Sequence, residues 1–464
     1  MTAIGNLKEP FIDGGIKNPY FFNGRLLTAE ALQDEQSANS SHRRQLGRIV
    51  GEGVAQGMEV SIIESGTGGT LPTVSVTPGL ALNRQGRVVE LTDTVHLKLV
   101  REGTASTGNT GLFAPCGNAS QPDRLPTGTG VYILVAAPAG GYEGKAPMHY
   151  LGDTGKLSGC NYKYEKDGVQ FRLVLLDITN TSVVGEGIGA DILELAGDDS
   201  AMGRSKLRNL LAHLCLGTET AAGFAGNIFQ LSGSTAAVPE YGPLDVLRES
   251  GCLEDADVPL ALILWTQNGL EFVDMWSVRR KPHSPYLFTS TPFPLSQRRH
   301  AELEAAYLQF QEQMSTLFKS YSSQLEPEIR AVDYFRFLPA GGFIPMPPVM
   351  NLYAANAFVG SVFFDGLLNP VSGVGGIDGA ALRHLIGSSL SFEPIVLKSD
   401  TAYMPGGGGE MSAIAEPVET ERGIKYYFVS QNQDLKFGDS SVPLYAVFTS
   451  MDITPQGGDQ VINM

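Results

Sequence analysis

Histidine does most of the acid–base and metal chemistry that proteins perform near neutral pH, and this chain has seven: His42, His96, His149, His213, His283, His300 and His384. None is spaced from another as HxH, HxxxH or HExxH, the patterns that bring two imidazoles to one face of a strand or helix. The four cysteines, Cys116, Cys160, Cys215 and Cys252, lie equally far apart, with no CxxC and no histidine at ligand spacing. They read as separate thiols. The glycine run from Gly406 to Gly409 leads into Glu410 and Met411. A phosphate loop needs Lys and Ser or Thr there, and a carboxylate repels phosphate. "GTGGT", Gly66 to Thr70, runs into Leu71 and Pro72 and opens no helix, so the dinucleotide fingerprint fails. G-x-S-x-G is absent. "DDS" at Asp198 to Ser200 and "EDAD" at Glu254 to Asp257 lack the spacing of a calcium loop and are expected to be solvated turns. No catalytic residue, metal ligand or cofactor is assigned, and a non-enzymatic role is the expectation.

Aromatic rings offer a different chemistry. Trp265, Trp276, Tyr286, Tyr426 and Tyr427 could stack on sugar rings, which keeps a carbohydrate-binding or carbohydrate-cleaving appendage as the alternative. Against it, Trp265 and Trp276 stand in apolar strand patterns, and large aromatics in such patterns are usually core.

Composition narrows the classes further. Across 464 residues, 33 Lys and Arg face 49 Asp and Glu, a net charge of −16. That disfavours a nucleic-acid binder, which needs a basic face to displace counterions from phosphates. The length suits two to four domains. The start, "MTAIGNLKEPFIDGG", has neither the basic nor the apolar region of a signal peptide, and no apolar run approaches the roughly 20 residues of a membrane span. Synthesis in the cytoplasm, with no membrane span, is expected.

The elements that would position any site follow from periodicity. Thr28 is a good N-cap with Glu30 in the first turn, so a helix should start there. Gly51, Gly53 and Gly57 end it, and "TVSVTPGLALNRQGRVVEL" alternates as strands that turn between Asn83 and Gly86. Residues 101–130 read as a long polar loop. "VYILVAAPA", "VQFRLVLLDIT", "VPLALILW" and "LEFVDMWSV" read as strands, and "SKLRNLLAHLCLG" as a helix capped by Ser205 and stopped at Gly217. From Ser296 to Glu326 a run without glycine carries Leu303, Tyr307, Phe310, Met314, Leu317 and Tyr321 at steps of 4, 3, 4, 3, 4. This heptad seam either packs within the chain or pairs with copies of itself. "FRFLPAGGFIPMPPVM" reads as a connector, and "PGGGGE" from Pro405 as a loop tip.

The expected fold class is therefore β-rich α+β and multidomain, with antiparallel β-domains, an N-terminal helix and one long heptad-patterned helix. The divisions fall at 1–100, 101–295, 296–334 and 335–464. Tyr20, Phe21 and Phe22, with Leu26 and Leu27, form an aromatic anchor ahead of the first helix. It either staples that helix to its own β-unit or docks into a neighbour.

Three stretches carry a resemblance. "NPYFFNGRLLTAEALQDEQ", followed by "HRRQLGRIVGEGVAQGMEVSI" and "VSVTPGLALNRQGRVVEL", resembles the N-terminal module of proteins associated with contractile injection systems and phage-tail-like particles. "DVPLALILWTQNGLEFVDMWSVRRK" and "FRFLPAGGFIP" resemble later segments of the same kind of protein. The resemblance implies a structural part of the particle, at or near the baseplate or in a peripheral appendage, with no catalysis. Partners would be particle proteins such as baseplate subunits and copies of the chain itself, a trimer through the long helix being the first order to test. The chain would be made in the bacterial cytoplasm and then belong to the injection particle. The tandem glycine-rich repeats of a fibre shaft are missing, which favours a compact adaptor, plug or cage-like component.

Overall fold

The computed structural model describes residues 15–67, 70–99, 130–148, 159–180, 188–217, 242–283, 297–320, 329–339, 341–345, 368–370, 395–397, 402–403, 412–420 and 423–431. The chain is β-rich, with antiparallel sheets and a few helices, as the sequence periodicities indicate. It opens with helix α1 (Ala29–Val50), capped by Thr28, whose Oγ1 accepts from Ala31 N at 3.1 Å. Short strands follow: β1 (Gly53–Gly57), β2 (Val60–Glu64), β3 (Thr73–Val76), β4 (Gly79–Leu82), β5 (Val88–Leu91) and β6 (Val95–Lys98). They form two three-stranded sheets, ordered β1-β4-β5 and β2-β3-β6. The β4–β5 hairpin turns through Asn83 to Gly86, as the turn residues indicate.

Two long strands, β7 (Gly130–Met148) and β8 (Gly159–Leu176), pair antiparallel along almost their whole length. With β9 (Val258–Thr266) and β10 (Gly269–Asp274) they make a sheet ordered β10-β9-β7-β8. Successive residues of β7 point to opposite faces, and both faces are covered. Val131, Ile133 and Val135 pack with Leu207, Leu210, Leu211 and Leu214, while Tyr132, Leu134 and Ala136 pack with Val54, Val74, Val76 and Ala81. The strand therefore reads as an unbroken apolar run. Each buried valine, leucine and isoleucine among them contributes about 1.5–3 kcal/mol by leaving water. One core thus spans the boundary expected at residue 100.

The helical face is built from α2 (Ile188–Ala196), α3 (Ala201–Cys215) and α4 (Pro243–Glu249). The N-cap of α3 is Ser200, not Ser205: Ser200 Oγ accepts from Gly203 N at 3.0 Å, and Ser205 is buried inside the helix. "DDS" is thus a helix start, with Asp198 bonded to Ser200 N. Asp257 is no solvated turn either. It is buried and paired with Arg172, because the sheet brings a strand arginine 85 positions away to it. Cys252 is in a disulfide, whereas Cys215 is a buried thiol outside any disulfide. Cysteine spacing along the chain carries no information about a bridge closed by tertiary proximity.

Next come α5 (Gln297–Ser320) and α6 (Ala331–Tyr334). The expected connector instead forms strands: β11 (Phe337–Leu338) and β12 (Gly341–Pro345). These join β13 (Leu368–Pro370), β14 (Ile395–Leu397), β15 (Ala402–Tyr403), β16 (Ser412–Thr420) and β17 (Gly423–Gln431) in sheets ordered β11-β14-β15 and β12-β17-β16-β13. Phe337 belongs to the core under the helices, so the division expected at 335 also cuts through a packed region. The loop expected at 101–130 and the tip at Pro405 fall outside the described residues, apart from Gly130.

Candidate interaction surfaces

The seam of α5 is turned into its own chain. Leu303, Phe310 and Met314 are buried, Phe310 and Met314 completely, and the Phe310 ring lies 5.3 Å from Phe335. Tyr307 and Leu317 are half-buried, and Tyr321 lies outside the described residues. Polar side chains on the same helix are buried too: Gln309 Nε2 donates to Asp274 Oδ2 at 3.1 Å, and Gln313 Nε2 donates to Ser205 Oγ at 2.6 Å. A self-pairing seam cannot be assigned to side chains already enclosed, so Leu303, Phe310 and Met314 leave the interface set. Their steps of 3 and 4 fit a core helix as well as a coiled coil.

The N-terminal anchor is the opposite case. Tyr20 is 79% exposed and Leu26 80%, and Phe21, Phe22 and Leu27 are exposed as well. The segment holds a local shape through Tyr20–Phe22 ring contact at 6.3 Å, Arg25 over the Phe21 ring at 5.5 Å and Arg25 N bonded to Phe22 O at 3.1 Å. These contacts organise the aromatics without burying them. Helix α1 continues the surface with exposed Leu32, Leu46, Ile49 and Val50. It meets the body near its C-terminal end, where Gly47 lies against the turn at Gly86 so closely that a Cβ on either glycine would overlap the other segment's backbone. Gly86 also has φ +74, a conformation that suits glycine.

A second exposed element escaped the sequence reading. β9 pairs with β7 only from Gly130 to Ala136. Beyond that the β7–β8 hairpin runs on as far as Met148 and Gly159, paired, among the described residues, only with itself. This ribbon carries exposed Tyr142, Tyr162 and Tyr164, with Tyr142 and Tyr162 stacked at 4.9 Å and Lys163 over Tyr164. The signal was available as tyrosines interleaved with Glu143, Lys145, Lys163 and Glu165, an alternation without a core-facing side.

A concave feature among the described residues is ionic. Glu52, Arg84, Asp245, Arg248, His283, Arg298 and Glu302 line a cavity of about 40 Å³, room for a water or two and far below the roughly 300 Å³ of a small-molecule site. Glu52 accepts from Arg84 Nε at 2.7 Å and from Arg248 Nη2 at 2.9 Å. Arg298 bridges Asp245 at 2.7 Å and Glu302 at 3.1 Å. Burial alone would push the Glu52 carboxyl up, but the Arg248 and Arg84 guanidiniums outweigh it and hold it down to about 2. A carboxylate so committed is a poor proton acceptor near neutrality. Its role is to join the end of α1, the β4–β5 turn and α4. His283, whose N donates to Glu52 O at 3.0 Å, is pushed below the ordinary histidine range by burial.

A pH dependence follows. The folded Glu52 pKa lies below its unfolded value of 4.5, so the unfolded chain binds the extra proton first. The stabilisation is complete above about pH 4.5 and disappears as pH falls toward 2. It amounts to on the order of 3 kcal/mol. Glu52→Gln should remove most of this dependence in urea titrations between pH 5 and 2.5; an unchanged slope would show that Glu52 is not paired as described.

The remaining sequence candidates divide plainly. Trp265 is buried, and Trp276 is half-buried with Arg279 over its ring at 5.6 Å. Tyr286 lies outside the described residues, as do the side chains of Tyr426 and Tyr427. His213 is buried and stacks on Phe337, and His42 and His96 are exposed. Among the described residues no group of three His, Cys, Asp or Glu side chains could hold a metal ion, and no helix is long and apolar enough to cross a membrane. No protein-family model matches the chain, and no curated protein matches it.

Proposed function

We propose that the protein is a non-enzymatic structural component of a contractile injection system or phage-tail-like particle, at or near the baseplate, acting as an adaptor, plug or cage-like part through protein–protein contacts. The observation that carries this reading is the exposed N-terminal anchor: five large apolar side chains from Tyr20 to Leu27 held ready ahead of α1. Contiguous exposed apolar surface of this kind marks an interface, and aromatics are the side chains that interfaces favour. The resemblance of the same segment to particle-associated proteins supplies the setting. The partners are other particle proteins, baseplate subunits among them; no nucleic acid or cofactor is invoked. The chain would be made in the bacterial cytoplasm and carried in the finished particle. The sugar-binding alternative loses its best stacking face with Trp265 inside the core.

The test is particle association. Tyr20→Ser, Phe22→Ser and Leu26→Ser combined should leave the melting temperature within about 2 °C, since exposed substitutions away from packed features cost little. The same triple variant should disappear from sheathed particles purified from the producing bacterium, assayed by mass spectrometry. Absence of the wild-type chain from such particles would overturn the proposal, and so would retention of the triple variant at wild-type level overturn the anchor's role.

A further inference from the structure

Helix α1 has an apolar face that stays exposed, with nothing among the described residues packed over it. Its buried positions are Ala31, Ala38 and Gly47. Elsewhere on the helix Leu32 is 48% exposed and Leu46 64%, with Asn39 exposed midway between them. Residues seven apart drift by only about 20° around a helix, so Leu32, Asn39 and Leu46 form one stripe, prolonged by exposed Val50. Over about 33 Å of helix, such a stripe is closed by another helix.

The flanking charges say which helix. Counted from Asn39, Leu32 lies seven residues before and Leu46 seven after; Glu35 lies four before and Arg43 four after. Invert a second copy about a two-fold axis through Asn39. Each Leu32 then meets the other copy's Leu46, each Glu35 meets the other's Arg43, and the two Asn39 amides face one another on the axis. Such self-complementarity is what a two-fold interface requires. A parallel pair would set Glu35 on Glu35 and Arg43 on Arg43, which is repulsive. Asn39 Nδ2 already donates to Glu35 Oε1 at 3.1 Å, holding the carboxylate beside the stripe. A polar residue at the middle of an apolar seam penalises slipped registers, as a lone asparagine does in coiled coils.

We propose that α1 pairs antiparallel with α1 of a second copy of this chain, on a two-fold axis at Asn39. The pairing goes beyond the particle reading and does not rest on it; the Tyr20–Leu27 anchor lies ahead of the helix and stays open to other proteins.

The full chain is tested by sedimentation equilibrium from about 1 to about 100 µM, a range suited to a short helix pair. The mass should rise to that of a dimer. Glu35→Arg alone and Arg43→Glu alone should each weaken association at least tenfold. The double variant, which exchanges the charges, should return it to within about threefold of wild type. Both substitutions are on the helix surface, so the thermal melts of all three variants should be unchanged. Oxidised Asn39→Cys should give a covalent dimer on a non-reducing gel. Leu32→Cys should not, because its two copies would lie about 21 Å apart along the pair, beyond the roughly 7 Å Cα separation of a disulfide. A wild-type monomer throughout, failure of the charge exchange to restore association, or cross-linking through Leu32→Cys rather than Asn39→Cys would overturn the proposal.

Discussion

Phe310→Ala should cost about 3–5 kcal/mol of stability in urea unfolding, the range for removing a fully buried phenylalanine, and Phe310→Glu should leave no cooperative transition. The side chain has no exposed surface and packs its ring on Phe335, beside Met314 on a helix whose glutamines bond across to α3 and β10. A charge there has no partner and no water. Circular dichroism during the titration reads both changes. A Phe310→Glu variant that keeps its melt and loses only self-association would return the α5 seam to the surface of the protein and restore the long helix as the oligomerisation element.

Asp274→Ala should cost about 3–5 kcal/mol through a different mechanism, the stranding of a buried arginine. Asp274 is completely buried and accepts from Arg208 Nε, Gln309 Nε2, Ser277 N and Ser277 Oγ. Burial alone would push its carboxyl up, but Arg208 and these donors together hold it below the ordinary range. Arg208 also donates to Glu312 Oε1 at 2.9 Å, and Glu312 is pushed up, first by burial and then by the charge on Asp274. Two carboxylates therefore share one guanidinium, with Asp274 the better placed. Removing both partners as Arg208→Met with Asp274→Leu should cost clearly less than the two single losses added, because neither charge is then left alone. Additive losses in that cycle would show that the pair does not interact.

The two ionic clusters have a common architecture. Each joins elements distant in sequence at a point where no single apolar face could do so: Glu52 to Arg248, and Arg208 to Asp274 and Glu312. Neither leaves an unpaired acid facing a substrate-sized cavity. What the molecule offers outward, among the described residues, is apolar surface on the N-terminal anchor, on α1 and on the β7–β8 ribbon.

Local chemistry by itself determined the element types. The Thr28 cap, the turn at Asn83 to Gly86, the leucine spacing of α3 and the alternation or apolar runs of β7 to β10 each depend on neighbours a few residues away, and each yields the expected element type, although α3 starts at Ala201 rather than Ser205, β8 begins at Gly159, well before Val169, and β10 ends at Asp274. The exposed anchor was also legible as a candidate, because three consecutive aromatics before a capped helix are conspicuous in any fold.

Tertiary structure decided what each face is for. The heptad steps of Leu303, Phe310 and Met314 specify a stripe on a helix, but a stripe has no label saying whether its partner is another helix of the same chain or a second molecule. Asp257, Cys252 and the ring of charges around Glu52 are set by residues brought together from tens to hundreds of positions away, and spacing along the chain carries no trace of such meetings. Strand periodicity likewise cannot tell where a sheet ends and a free ribbon begins, since that depends on whether β9 reaches alongside. The sequence determined which surfaces are apolar, and packing determined which of them remain in water.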